Sequence, residues 1–438
     1  MTLRPVVGLA LLLCACAPAP ERTGSAASTG APRLADQRPD IVLFLLDTVR
    51  ADHLSTYGYP KQTMPFLGRI AERSVVFERA WAPSSWTPTS MASIFTGLWA
   101  NQHGVLTGFR ATQRALRGGD AIELNRVPVA AELLPEVLKR AGYRTYGAAD
   151  NINMGEAMGF TRGFDRFFGR PQGGVRGRVR EWRQELRQGT GPFFLYLHYM
   201  DAHGPFKTKP QPGQPDIAAA VEAYDAALTS LDEKIRFTFG TLGLEDRQVV
   251  VLVLADHGEE FLEHGGTGHG LKLYDELLRV PLIVYAPGRV EPRRVAQPVS
   301  TVDVLPTLRE LAGAPPGERD VGVSLLATLR GEVKETRTFF PMRFWKPTNV
   351  RLARKAVVHG RHKYIVEQPA NVEELYDLES DPGERRNLAA SEPALLSELR
   401  ERLRRFERSA PAYPREFASQ VAISREQAEE LKALGYVQ

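Results

Sequence analysis

Acidic residues and histidines stand where long apolar runs of this sequence end. Asp47 ends one run, the pair Asp256 and His257 ends a second, and the stretch "HYMDAHGP", which contains His203, ends a third. A buried carboxylate is unfavourable unless a cation is paired with it. Carboxylate oxygens together with one imidazole suit a divalent cation such as Mn²⁺, Ca²⁺ or Zn²⁺. These residue types therefore predict a divalent metal site.

A stretch rich in hydroxyl groups, "SSWTPTSMASIFTG" at 84–97, supplies a candidate nucleophile. Thr87 is a favourable N-cap for a helix, with Pro88 at the first helical position. The N-terminus of a helix also favours a bound anion. A threonine hydroxyl is a weak nucleophile until a base or a metal ion takes its proton. From these residues alone, a helix cap and a nucleophile are equally good interpretations of Thr87.

The elements that must position these residues are buried strands alternating with helices. We predict strands at 40–47, 193–200, 249–256 and 280–286, and helices near 65–73, 129–141 and 302–312. Continuous apolar runs are typical of strands buried on both faces of a parallel sheet. Alternation with helices predicts an α/β fold, a three-layer α/β/α sandwich. Such sheets bind ligands beyond the carboxyl ends of their strands, which is where the acids stand.

The last hundred residues follow a different pattern. Short strands at 356–358, 364–366 and 374–378 are close in sequence, which favours a small antiparallel sheet. A helix capped by Ser391 and a short last helix over 424–435 complete the tail. We therefore predict a main domain over 39–335 and a small α+β C-terminal subdomain over 336–438.

The composition is that of a globular enzyme or binding protein. The chain has 438 residues, of which 43% are hydrophobic and 25% charged, and its net charge is only +4. This length allows two packed units. So small a net charge does not favour nucleic acid as a partner.

The N-terminus is typical of an export signal. An apolar run too short to span a bilayer leads into "LCAC", which resembles a bacterial lipobox with Cys16 as the acylated residue. We predict a lipoprotein signal peptide over 1–16, a flexible tether over 17–38, and a lipid anchor on the periplasmic side of a bacterial envelope membrane. The alternative is a plain signal peptide and a secreted protein. Both cysteines lie in this segment, so the folded part has no thiol.

Several blocks of the sequence, in order from residue 39 to the C-terminus, resemble the sulfatase family within the alkaline phosphatase superfamily. They are "PDIVLFLLDTVRADHLSTYGY", "ASIFTGLWANQHGV", "LYLHYMDAHGPF", "LADHGEEFLEHGGTGHGLKLYDELLRVPLIVYAPG", "STVDVLPTLRELAG" and "EELYDLESDPGERRNLA". The resemblance implies an ester hydrolase acting on a small-molecule, glycan or lipid head-group ester that is anionic.

The resemblance also implies residue roles. Asp47, Asp256 and His257 match metal ligands, and Thr87 matches the nucleophile, which in the family also binds the metal and stands ten residues before the glycine of "TG".

Further catalytic residues follow from the same resemblance. His203 matches a histidine at the ester group or leaving oxygen. His269 and Lys272 lie near the position of a basic residue on the anion, and His103 matches a histidine close to the nucleophile.

The sequence departs from the family at the nucleophile. The sulfatase signature is Cys or Ser, any residue, Pro, Ser, Arg, and its first residue becomes formylglycine. Here the five residues are Thr87 to Met91, so formylglycine is excluded and Thr87 is expected to act as an alkoxide. The second acid of the family's leading pair is Thr48, which favours one metal ion over two.

A threonine nucleophile favours some substrates over others. A sulfated threonine lacks the second hydroxyl from which a formylglycine hydrate expels sulfate, so a phosphoester or phosphonate is the favoured substrate. A sulfuric ester hydrolase, a phosphoglycerol- or phosphoethanolamine-type transferase, and a non-catalytic anion-binding lipoprotein remain as alternatives.

Overall fold

The computed structural model describes Met1 and residues 38–108, 122–169, 174–204, 216–332, 335–345 and 352–421. The chain divides into two units, residues 1–31 and 32–438, and the helices and strands given below belong to the second. The predicted signal peptide with Cys16, the tether up to residue 37 and the last helix over 424–435 lie outside the described residues.

A mixed sheet of eight strands forms the centre of the fold. In order across the sheet, the strands are Arg293–Val295, Val75–Phe77, Leu282–Tyr285, Val249–Leu254, Asp40–Leu46, Phe193–Tyr199, Arg144–Ala149 and Arg166–Gly169. The strand Asp40–Leu46 is parallel to both of its neighbours, Val249–Leu254 and Phe193–Tyr199. Their apolar residues are buried on both faces, as the continuous apolar runs predicted.

One predicted strand runs in an unexpected direction. Leu282–Tyr285 pairs antiparallel with Val249–Leu254 and with Val75–Phe77, so the sheet is not fully parallel. An apolar run shows that a strand is buried but does not encode its direction, which depends on how the chain returns to the sheet.

Helices cover both faces of this sheet. The described helices are Pro65–Ala71, Thr87–Thr96, Ala100–His103, Leu134–Arg140, Gly174–Gln188, Ile217–Leu242, Asp275–Leu278, Val304–Leu311, Leu326–Leu329 and Pro393–Ser409. Tyr196 packs against Phe95 on one face of the sheet, while Tyr199, three residues along the same strand, lies with Thr238 on the other. The three-layer α/β/α sandwich is thereby confirmed.

The tail forms the predicted antiparallel sheet. Its strands are Thr338–Phe339, Met342–Phe344, Ala353–His359, His362–Gln368 and Val372–Asp377. The boundary at 335 stays a prediction.

The helix that follows this sheet starts later than predicted. It begins at Pro393 after Glu392, and the Ser391 hydroxyl instead donates to Leu388 O, so the predicted cap is wrong by one residue.

A buried ion cluster joins the tail to the main sheet region. The Lys363 ammonium, on a tail strand, lies 2.7 Å from Asp275 and 2.8 Å from Glu384, and both of these carboxylates are largely buried. In the described part of the chain, no helix is long and apolar enough to cross a membrane.

Candidate active site

The helix that carries the candidate nucleophile, Thr87–Thr96, is buried at every position and is called the site helix below. Trp86, with φ −140°, is its N-cap, and Thr87 is its first residue. The predicted cap and the predicted position of Pro88 are therefore each displaced by one residue. The physical reason is that the Thr87 hydroxyl is directed at a neighbouring histidine instead of at the backbone of its own helix.

That histidine is His257, which follows the strand Val249–Leu254. Thr87 Oγ1 lies 3.0 Å from His257 Nε2, and neither residue is exposed to solvent. The other ring nitrogen, Nδ1, is 2.9 Å from the carbonyl oxygen of Gly258, so it donates to that oxygen. Nε2 of the neutral ring therefore carries a lone pair that points toward Thr87.

Two carboxylates complete the cluster, and one oxygen of each accepts two hydrogen bonds. Asp47 Oδ2 accepts from His198 Nε2 at 2.9 Å and from Asn151 Nδ2 at 2.8 Å. Asp256 Oδ1 accepts from the backbone N–H groups of His257 at 3.0 Å and Thr48 at 3.3 Å. Among the described residues, neither Asp47 Oδ1 nor Asp256 Oδ2 has a hydrogen-bond partner, although both atoms are buried.

These unpartnered oxygens fit a divalent cation. One ligand atom each from Asp47, Asp256 and His257 lies within 4.8 Å of the others. A buried carboxylate oxygen without a donor is costly, and a bound cation removes that cost. Two carboxylates, an imidazole and an adjacent hydroxyl match the ligand preferences of Mn²⁺, Ca²⁺ or Zn²⁺.

The pKa values of the two acids move in opposite directions. Burial, together with the negative charge of Asp47, raises the pKa of Asp256 to about 7. Burial opposes ionisation of Asp47 as well, but the hydrogen bond from His198 and the electrostatic influence of the His203, His198 and His257 side chains hold its pKa well below the usual range. In the metal-free cluster one carboxylate is thus stably ionised while the other resists a second negative charge.

Two further histidines line the cluster. The His269 ring centroid lies 4.6 Å from that of His257, 4.8 Å from that of His203 and 5.6 Å from that of Trp86. His269 Nδ1 is 3.3 Å from both carboxylate oxygens of Glu259, which is only 2% exposed. Sequence reasoning assigned no catalytic role to Glu259, whose side chain orients the His269 ring.

Lys272 and His103 make their hydrogen bonds elsewhere. Lys272 Nζ donates to Glu260 and to the His264 carbonyl, each at 2.6 Å. His103 Nε2 lies 3.0 Å from Ser93 Oγ, and its Nδ1 accepts from the backbone of Val105. Burial lowers the pKa of His103 to about 3, so this ring is neutral. The structure thus joins His103 to the second turn of the site helix and Lys272 to Glu260, rather than to Thr87.

Sequence reasoning assigned no role to the two residues that hold Asp47. Asn151 follows the strand Arg144–Ala149, which is not a continuous apolar run and is not among the predicted strands, so the strand-end argument that selected Asp47 did not reach it. His198 is a polar residue inside the apolar run of Phe193–Tyr199, which is itself an unusual feature.

Thr48, which stands where the family has its second acid, acts through its backbone. It has a φ of 59°, unusual for a β-branched residue. This conformation brings its N–H to Asp256, while its hydroxyl donates to the carbonyl of Ala202 at 2.8 Å. Thr48 therefore joins three chain segments of the site without offering a metal ligand.

Comparison with known proteins identifies the family of this chain and agrees with its fold. The sulfatase family model matches residues 39–175 and 179–314, and a model described as N-sulphoglucosamine sulphohydrolase, C-terminal, matches residues 265–409. The chain belongs to the sulfatase family.

Among curated proteins, the chain is similar to a Delta 4,5-hexuronate-2-O-sulfatase of Bacteroides thetaiotaomicron, with 38% identity over 33% of this chain and 31% of the relative. It is also similar to arylsulfatase K of Bos taurus, with 30% identity over 48% of this chain and 40% of the relative. The matches therefore span less than half the length of these relatives.

Solved structures match over a larger part of the chain. A 2-O GAG sulfatase gives a TM-score of 0.70 at 20% identity, covering 87% of this chain and 95% of that one. The phosphonate monoester hydrolase of Agrobacterium radiobacter gives 0.70 at 18% identity, covering 85% and 96%. At these identities the likeness establishes the fold alone, an α/β fold shared with these solved structures.

Proposed function

We propose that this protein is a metal-dependent hydrolase that cleaves an anionic ester through Thr87, with a phosphoester or phosphonate favoured. The observation that carries the proposal is the 3.0 Å contact between Thr87 Oγ1 and His257 Nε2, beside two buried carboxylate oxygens without donors. Family membership supports hydrolysis of an anionic ester. The choice of phosphorus over sulfur rests on the identity of the nucleophile.

The cation would be held by Asp47, Asp256, His257 and Thr87. A divalent cation bound there would lower the pKa of the Thr87 hydroxyl and offset negative charge on the ester. The protein itself contributes a nucleophile that cannot rotate freely, because the site helix is buried along its whole length.

Thr87 Oγ attacks the phosphorus in line with the leaving oxygen. The Thr87 hydroxyl gives up its proton as its oxygen bonds to phosphorus, and the bond from phosphorus to the leaving oxygen breaks. A proton passes to the leaving oxygen, so the alcohol departs, a phosphothreonine remains and the proton count is unchanged. His203 and His269 line the cluster and are the imidazoles that we assign to the leaving oxygen and the anion. Water then attacks the phosphothreonine, which releases phosphate and restores Thr87.

The threonine at position 87 favours phosphorus over sulfur. The nucleophile position holds neither the Cys nor the Ser of the signature, and both cysteines of the chain are at positions 14 and 16, so formylglycine does not form at this position. A sulfated threonine has no second hydroxyl from which sulfate could be expelled. A phosphothreonine is open to in-line attack by water with assistance from the same site.

A sulfate ester on a glycan is the second candidate. Two relatives favour this candidate, because one is named a 2-O-sulfatase and the other an arylsulfatase. A fold neighbour solved with D-glucosamine-2-N,6-O-disulfate favours it as well. Transfer to an acceptor alcohol differs only in the molecule that attacks the phosphothreonine. A non-catalytic anion-binding protein would keep the cluster without turnover.

The test is turnover of p-nitrophenyl phosphate, a phosphodiester, a phosphonate and the sulfate, each with Mn²⁺, Zn²⁺, Ca²⁺ or chelator. We expect metal-dependent phosphoester or phosphonate cleavage that falls on the order of 10³-fold or more in Thr87→Ala. Thr96→Ala is the matched control, because Thr96 is a buried threonine at the other end of the same helix, with its hydroxyl on Ala92 O. Its activity should stay near that of the wild type.

The remaining outcomes separate the alternatives. A fully active Thr87→Ala variant that still binds metal contradicts the role of Thr87. Repeated turnover of the sulfate alone establishes the second candidate, and a phosphorylated alcohol formed in the presence of glycerol establishes transfer. No turnover in a protein that carries no metal favours the binding protein.

We also propose that the protein is exported and anchored through a lipid on Cys16, on the evidence of "LCAC" in the sequence. Metabolic labelling with a fatty acid should mark the wild type and not Cys16→Ser. Equal labelling of both would contradict the anchor.

A further inference from the structure

The hydrogen bonds around Asp47 decide which of its two oxygens is available to a ligand. A carboxylate oxygen has two lone pairs that accept hydrogen bonds. On Asp47 Oδ2 both are used, by His198 Nε2 at 2.9 Å and by Asn151 Nδ2 at 2.8 Å. All three residues are fully buried, so water does not compete for these bonds. Only Oδ1 remains.

The two donors are themselves held in place. An ionised carboxylate only accepts, so His198 donates from Nε2, and Nδ1 of the neutral ring then accepts from the Tyr196 hydroxyl at 2.8 Å. The side-chain oxygen of Asn151 accepts from the backbone N–H of Asn153 at 2.9 Å, which fixes the amide with its NH₂ toward Asp47. A phenol, an imidazole and a carboxylate thus form one buried chain of hydrogen bonds.

The position of this chain in the sheet makes it rigid. Tyr196 and His198 are alternate residues of one central strand, so their side chains project from the same face of the sheet. That strand pairs directly with Asp40–Leu46, which ends just before Asp47. The Tyr196 ring also packs edge-on against Phe95 of the site helix, with ring centroids 5.1 Å apart.

We propose that His198, supported by Tyr196 and acting together with Asn151, is a positioning residue that restricts Asp47 to a single oxygen ligand for the cation. The inference rests on the proposed metal site and adds the device that sets its geometry. It also accounts for a cluster without a second acid at position 48, because the direction of Asp47 is set by two neutral donors, one on the strand Phe193–Tyr199 and one just after the strand Arg144–Ala149. Partners that orient a ligand in this way typically change metal affinity about 10- to 100-fold when removed.

The experiment measures Mn²⁺, Zn²⁺ and Ca²⁺ affinity by calorimetry on metal-stripped protein, without any substrate. His198→Leu should weaken binding about 10- to 100-fold, and His198→Gln, whose amide can still donate to Asp47, should recover part of the loss. Tyr196→Phe should give a smaller loss in the same direction. Tyr199→Phe is the matched control, since this buried tyrosine of the same strand bonds to Thr238 on the opposite face, and its affinity should be unchanged.

Each result has a defined meaning. If His198→Leu does not fold, Asn151→Ala removes the other donor from the same oxygen and is expected to weaken binding in the same range. Wild-type affinity in folded His198→Leu, or an equal effect of Tyr196→Phe and Tyr199→Phe, overturns the positioning role and leaves the proposed hydrolase intact. A wild-type protein that binds none of Mn²⁺, Zn²⁺ and Ca²⁺ in this experiment overturns both proposals.

Discussion

Arg343 offers a test of how the tail supports the candidate active site. This arginine lies on the tail strand Met342–Phe344 and is only 1% exposed. Its guanidinium donates to the carbonyl of Gly270 at 2.7 Å and to that of Leu106 at 3.1 Å, and it lies 5.2 Å from the ring centroid of Trp86. One side chain therefore connects the loop after His269, the segment after the helix Ala100–His103 and the residue before Thr87.

The consequence of Arg343→Met can be worked out from these contacts. Methionine fills similar space but removes this donor from the carbonyl of Phe344 on its own strand and from those of Gly270 and Leu106 elsewhere in the chain. The last two cost about 1–3 kcal/mol each, or about 2–6 kcal/mol together. The entropy of unfolding for a chain of this length is about 0.9 kcal/mol per kelvin, so Tm should fall by about 2–7 °C. Gly270, with φ +81°, lies so close to Trp86 that an added Cβ would be 2.7 Å from the indole. Movement of this loop displaces His269 as well, and we expect turnover to fall on the order of 100-fold.

The assay is thermal unfolding together with kcat and KM on the best ester found, beside Arg354→Met. Arg354 lies on the adjacent tail strand and donates to the next residue of the same loop, the carbonyl of Leu271 at 3.0 Å, but its side chain is 24% exposed. Water can replace that bond, so Tm should change by less than about 1 °C. Equal Tm and turnover in the two variants would refute the reasoning.

Three further outcomes are expected. Lys363→Met leaves two largely buried carboxylates without their cation, and a broken buried pair costs about 3–5 kcal/mol, so Tm should fall by about 3–6 °C. Arg361→Met removes a half-exposed pair, and its Tm should stay within about 1 °C of the wild type. Equal shifts in the two variants would contradict the buried cluster. Burial opposes protonation of His264, but its hydrogen bond to Glu276 raises the pKa, so its stabilising effect is full below about pH 6.5 and declines as pH rises through the raised value. The Tm gap between wild type and His264→Gln should therefore be larger at pH 6 than at pH 9, and a gap that grows with pH would show the sign to be wrong. Chelation should lower Tm, and Mn²⁺ at about 100 times its Kd should restore about 2.7 kcal/mol; an unchanged Tm would argue against a bound cation.

The sequence by itself determined the family, the layered fold and the meeting of Asp47, Thr87, Asp256 and His257. Buried strands are recognised in the sequence as apolar runs. The residues that follow them lie close together because the carboxyl ends of parallel strands share one edge of the sheet. Thr87 was found through the resemblance to the family, whose nucleophile stands ten residues before the glycine that is Gly97 here. These signals are local in the sequence, so they can be recognised without knowledge of the packing.

Only the tertiary structure decided how those residues are held. Asp47 is bonded to Asn151 and His198, which are 104 and 151 residues away in the chain, and the Arg343 guanidinium reaches Gly270 across 73 residues. Such partners depend on which strands pair and in what register, and on which side-chain atoms then come within about 3 Å of one another. Periodicity along the chain carries neither piece of information. It therefore indicated the ligands of the cluster but not the donors that leave each carboxylate with one oxygen to offer.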